Sequence, residues 1–326
     1  MLNKIKVLPL AAESLGTRSM CTFIETKDVK VLLDAGVSLA PSRFGLPPHP
    51  KEYDAILESR KRIAEKASEA DIITISHYHF DHHTPSFTDW VCNWSSPEIA
   101  QKIYENKLVL LKNYKTKTNF SQRRRGWVFA KTGGRYAKKL EVADGKAFNF
   151  GDTVLRFSEP VFHGEENTLL GWVLTTTIEH EDEKVVFAPD VQGPMYHEAL
   201  KLIVAEKPQL LIIGGPPLYL AGFRVAETQI QKGLEGLRQL AATVPLIVLE
   251  HHLLRAENWR EQAGVVFDAA KKNGHKILTA AEFIGTEDNL LEARRKQLFQ
   301  KEPPGKGFMK WSKIQLSARM LVKPPI

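Results

Sequence analysis

Only two cysteines, Cys21 and Cys92, occur in 326 residues. That scarcity excludes a disulfide framework and makes a reducing compartment the simpler expectation. No apolar run approaches the roughly 18 residues that a membrane span needs. The opening stretch MLNKIKVLPLAAESLG has one short apolar patch that soon meets Glu13, too brief for a secretory core. A cytoplasmic location with no membrane partner is therefore expected. No internal repeat is visible. What is present is ordinary for a globular chain: 43% hydrophobic and 25% charged residues, enough for one large core or two modest ones.

Charge is unevenly spread. Between residues 112 and 139 there are ten Lys/Arg and no Asp or Glu, and between 292 and 326 nine against two. With a net charge of +7, the remaining residues form an acidic body bearing two basic segments. Such segments are either solvated faces or attractors for an anionic substrate.

Alternating and β-branched runs predict strands in MCTFIET and VKVLLDAG, joined as a hairpin, and in DIITIS. Helical spacing covers about 51–69, and residues 84–140 read as a basic insertion carrying a short helix near 96–105 and the strand KLVLLK. The second half alternates strands (VVFAPD, QLLIIGG, PLIVLE, HKILTA) with helices near 194–206, 224–242 and 256–272. Hairpins followed by alternation predict a layered α+β sandwich. The expected organisation is a domain over 1–291, with 84–140 inserted, and a basic extension over 292–326 that wraps the surface or frays.

Ser76-His77-Tyr78-His79-Phe80-Asp81-His82-His83 follows the DIITIS strand. Imidazoles and a carboxylate at this density are the ligands that zinc, iron and manganese prefer. In extended chain His77 and His79 point the same way and can share one ion, while Asp81 and His82 can reach a second. His77-x-His79-x-Asp81-His82 resembles the signature of the metallo-β-lactamase superfamily. The resemblance implies an αβ/βα four-layer sandwich with two divalent metal ions at one edge of its sheets, zinc foremost with iron or manganese as alternatives. It further implies that Asp34 orients the metal loop, that His163 and His251 are later ligands, and that Asp190 bridges the ions. His252 stays open as the alternative to His251. All four positions end apolar strands, which would gather them at one edge.

Two cations held close together would lower the pKa of a bridging water from about 15.7 towards neutrality, making a hydroxide for attack on a carbonyl or phosphoryl centre. Asp81 could hold or receive the proton, and Asp34 would act through a ligand it hydrogen-bonds. Substrate contacts are expected from the glycine-rich turn after QLLII, whose backbone amides could bind an anion, with Tyr219 and Arg224. Arg123, Arg124 and Arg125 are further candidates, interleaved with Tyr114, Phe120 and Trp127 in a pattern that suits phosphate contact and base stacking. The competing reading of that stretch is a surface ribbon paired with the acidic body.

The blocks ESLGTRSMCTFIET, VSLAPSRFGLPPHP, GPPLYLAGFR and EHHLLR resemble a mainly archaeal family of metal-dependent hydrolases in the same superfamily, one without a settled substrate. The leading expectation is hydrolysis of an ester, lactone or phosphoester, the substrate small and anionic. A second is an RNA-directed nuclease, because His251 and Arg255 resemble the His-x-x-x-Arg spacing of ribonuclease Z-type members. A third is a non-enzymatic metal- or nucleic-acid-binding protein.

Overall fold

The expected hairpin opens the first sheet, and the computed structural model, which describes residues 2–326, extends it to six strands. β1 (Lys6–Pro9), β2 (Thr22–Glu25) and β3 (Lys30–Leu33) pair antiparallel. β4 (Ile72–Ile75), β5 (Leu108–Leu111) and β6 (Lys139–Val142) then continue the sheet in parallel from β3.

The second sheet has the same division. β7 (Ala147–Phe150) and β8 (Thr153–Phe157) lead through a two-stranded ribbon, β9 (Val161–Phe162) and β10 (Trp172–Val173), to β11 (Thr176–His180) and β12 (Glu183–Ala188). β13 (Leu210–Gly214), β14 (Leu246–Glu250) and β15 (Lys276–Leu278) follow in parallel.

Strand alternation decides the layering. In β13, Leu210 and Ile212 join Ile24, Leu33, Ile72 and Phe187 in a core between the sheets. Leu211 and Ile213 of the same strand face outward, against α4 (His197–Glu206), α5 (Glu227–Thr243) and the helix Gly264–Lys272. Ile73 and Ile75 of β4 face the opposite outer layer, made by α1 (Pro50–Glu69), α2 (Pro97–Tyr104) and α3 (Phe120–Lys131). Parallel strands buried on both faces must be apolar throughout, as IITI and LLIIG are. The result is the αβ/βα four-layer sandwich that the resemblance implied.

Local signals explain the first helix. The His49 side chain accepts from the backbone of α1, Pro50 occupies its first turn, and Glu52 reaches back to His49 N at 2.8 Å.

Two expectations about the chain's organisation change. Residues 84–140 are woven into the first layer rather than inserted beside it, because β5 and β6 complete the sheet and α2 covers it. The middle of the basic stretch within them is the helix α3, not a ribbon; Asn119 caps it by accepting from Gln122 N at 2.7 Å. The segment from 292 onward also packs firmly. Arg295 is fully buried and donates to both carboxylate oxygens of Glu52, at 2.8 and 2.7 Å, while Phe308 and Trp311 close over Tyr53.

Candidate metal centre

Asp190, just beyond the end of β12, is the point on which the candidate residues converge. Its Oδ2 lies 2.8 Å from His163 Nε2, 3.0 Å from His77 Nε2 and 3.7 Å from His79 Nδ1. Its Oδ1 lies 2.8 Å from His251 Nε2. His77, His79, His163 and Asp190 form one group able to hold an ion, and Asp81, His82 and His251 form a second. His82 Nε2 is 3.2 Å from Asp190 Oδ2, so Asp190 touches both groups. Every one of these residues follows the carboxyl end of a strand, where α/β sheets place their sites.

Backbone strain marks the same places. Asp34, Asp190 and His251 adopt left-handed conformations, with φ of 47°, 51° and 69°. Such residues cost about 1–3 kcal/mol each and persist where the surroundings over-determine them. Gly36 explains a fourth constraint: a Cβ there would stand 2.2 Å from His83 N, so the turn after Asp34 can lie against the His82–His83 backbone only without a side chain.

Asp34 stays out of both groups' centres and positions their loop. It accepts from Ser76 N at 2.7 Å and from the Ser76 hydroxyl, and faces His82 Nδ1 at 2.8 Å. Ser76 Oγ is in turn 3.0 Å from His77 Nδ1. His83, although part of the motif, turns away to the His79 carbonyl at 2.9 Å; burial pushes it down to about 3 and keeps it neutral.

Glu13 has no counterpart in the sequence reading. It opens the 3-10 turn Glu13–Leu15 before β2, buried, with Oε2 3.1 Å from His251 Nδ1. Its other oxygen accepts from Arg255 at 2.9 and 2.6 Å. Arg255 is therefore engaged inside the protein and is not a free phosphate clamp. Arg255 also donates to His252 Nδ1 at 2.7 Å. A guanidinium only donates, so that nitrogen accepts, and a neutral His252 carries its proton on Nε2, which lies 3.2 Å from Asp190 Oδ1.

The electrostatics suit cations. Despite burial, the surrounding imidazoles hold Asp190 and Asp81 well below the usual carboxylate range. Burial and neighbouring imidazoles keep His77 neutral, and burial lowers His79 too. His251 is pushed up to about 9 against its own burial, by Asp190 and Glu13. The cluster thus draws positive charge towards its carboxylates. His77 Nε2 and Asp190 Oδ1 are buried without a hydrogen-bond partner, a cost of about 1–3 kcal/mol each that bound cations would relieve. The donor set, imidazoles with carboxylates, fits divalent metal.

The centre opens into a cleft of about 840 Å³. His79, Asp81 and His252 face it, as do Arg125, Tyr219 and Arg224. Arg123 and Arg124 do not; they lie on the outer surface of α3. The glycine-rich turn offers no cradle of free amides either. Gly215 N donates to Glu250 O at 2.9 Å, and the amides of Leu218 and Leu220 close their own turn.

No protein-family model matches the chain. Among solved structures, the metallo-β-lactamase fold protein YhfI from Bacillus subtilis is similar, at 13% identity and a TM-score of 0.49, covering 85% of this chain and 98% of that one. Among curated relatives, a UPF0282 protein of Methanopyrus kandleri is 45% identical, covering 91% of this chain and all of that one. Another, from Korarchaeum cryptofilum, is 36% identical over 95% of this chain and all of its own length. The chain belongs to the UPF0282 family.

Proposed function

We propose that this protein is a metal-dependent hydrolase acting on an anionic ester, with a phosphoester favoured over a lactone. The carrying observation is Asp190, whose two oxygens face separate clusters of buried imidazoles at 2.8 Å on each side. In this reading His77, His79, His163 and Asp190 hold one cation, and Asp81, His82, His251 and Asp190 hold the other. Zinc suits the imidazole-rich set, and iron or manganese would also suit it. When bound, the pair supplies Lewis acidity and acidifies water.

The chain's own residues supply the rest. Glu13 accepts the Nδ1 proton of His251 and leaves its Nε2 lone pair free, which favours His251 over His252 as ligand. His252 lines the cleft, and a proton on its Nε2, buried beside Asp190 Oδ1, would be available to a substrate oxygen held at the centre. Asp81, ionised and partly open to the cleft, can accept a proton from attacking water. Arg125 and Arg224 line the cleft without an acidic partner among the described residues and supply the preference for an anion. A covalent cysteine mechanism is not favoured: Cys92 lines the cleft, but burial pushes its thiol up to about 12.

The test is a panel of esters, thioesters, lactones and phosphodiesters offered to protein loaded with zinc, manganese or iron. Hydrolysis that disappears with a chelator and in Asp190→Ala supports the proposal. Full turnover in Asp190→Ala would refute it.

A further inference from the structure

We infer that the outer face of α3 is a docking platform for single-stranded nucleic acid, whose backbone runs from there into the metal cleft. Phe120 and Trp127 are 81% and 53% exposed, large aromatic rings offered to solvent on one helix. Seven residues apart, they lie on the same face, about 10 Å along the axis. With Tyr114 they line a surface depression together with Lys115, Arg123 and Arg124. Among the described residues, none of those three cations has an acidic partner, so this surface does not pair with the acidic body. Exposed rings among unpaired cations match what single strands present, a π-face on each base and a charge on each phosphate. An anionic membrane surface would also accept rings among cations, but a bilayer cannot follow the arginine-lined path from this depression into the cleft, whereas a single strand can.

The platform is continuous with the cleft. Arg124 lines both the depression and a neighbouring groove of about 380 Å³. Arg125 and Phe80 line that groove and also the metal cleft, with the Arg125 guanidinium 4.4 Å from the centroid of the Phe80 ring. A strand seated on Trp127 would therefore pass arginines at successive steps before reaching Asp81. This destination rests on the proposed hydrolytic centre; the binding itself does not.

The experiment measures anisotropy of labelled 12-residue oligo(U) and oligo(dT) with the full chain carrying His77→Ala, which prevents turnover. Base-free polyphosphate of equal charge, a blunt duplex and an acidic peptide serve as comparisons. Single strands should bind more tightly than all three, and the RNA and DNA arms report which sugar is preferred. Phe120→Ala and Trp127→Ala should each weaken binding about fivefold or more at unchanged melting temperature. Arg123→Gln with Arg124→Gln should lower the salt slope by about 1.4. Polyphosphate, duplex or acidic peptide binding as tightly as oligo(U), or undiminished affinity in the Phe120→Ala, Trp127→Ala double variant, would overturn the inference. If wild-type protein still cleaves a small phosphodiester in that event, the hydrolase proposal survives alone.

Discussion

Arg255 donates to His252 Nδ1 at 2.7 Å, while the neighbouring His251 turns its own Nδ1 towards the carboxylate of Glu13 at 3.1 Å. With a cation bound at His251, the two adjacent imidazoles would sit in opposite tautomers, His251 offering its Nε2 lone pair and His252 keeping an Nε2 proton. His251→Ala should lose bound metal, whereas His252→Ala should keep it and lose turnover. Elemental analysis of both variants after identical loading decides the matter; metal loss in His252→Ala alone would reverse the assignment.

Asp34 holds Ser76 and His82 through one buried carboxylate. Asp34→Asn keeps the volume and part of the hydrogen bonding but cannot accept on both oxygens. Metal affinity or activity should fall about 10- to 100-fold, the usual effect of losing such an outer partner. Chelator competition would read the affinity, and a thermal melt would check that the fold survives.

How much of this was readable beforehand depended on whether the signal was local. HYHFDH carries four candidate ligands within one turn, and Asp34, His163, Asp190 and His251 each follow an apolar strand, so their convergence could be anticipated from the sandwich. Glu13 could not. It meets His251 across 238 positions of sequence, and although it opens the block ESLGTRSMCTFIET, nothing local in that block marks a carboxylate aimed at a distant histidine. The helix α3 was hidden for another reason: Phe120 and Trp127 face solvent, so its apolar spacing does not describe a buried stripe. Basic composition likewise disguised β6 as part of an insertion, although its backbone pairs with β5 like any sheet strand. The glycine-rich turn misled in the opposite direction, since its amides are spent on Glu250 O and on its own turn.

Arg125 and Arg224 should set substrate preference rather than rate. Arg125→Ala and Arg224→Ala are expected to raise KM for an anionic ester about tenfold, with little change in kcat and almost none for an uncharged analogue. Equal losses on charged and uncharged substrates would remove both residues from anion recognition.

Glu292 ties the C-terminal segment to the cleft wall through Arg18, both contacts at 2.6 Å. Burial alone would push its carboxyl up, but Arg18, with Arg255 and Arg295 nearby, holds it at about 2. Because the folded pKa is depressed, the stabilisation is complete above about pH 4.5 and is lost as pH falls towards 2. It amounts to about 3 kcal/mol. Glu292→Gln should be less stable at neutral pH and show a flatter decline between pH 4.5 and 2, measured by denaturant titration. An identical pH slope in the variant would contradict the assignment.

The central claim is that Asp190 joins two cation sites, and metal counting under saturating, buffered zinc or manganese tests it most directly. Two ions per wild-type chain, falling to one or none in Asp190→Ala with the fold intact, is the predicted result. Two ions retained in Asp190→Ala, or none in the wild type, would contradict it.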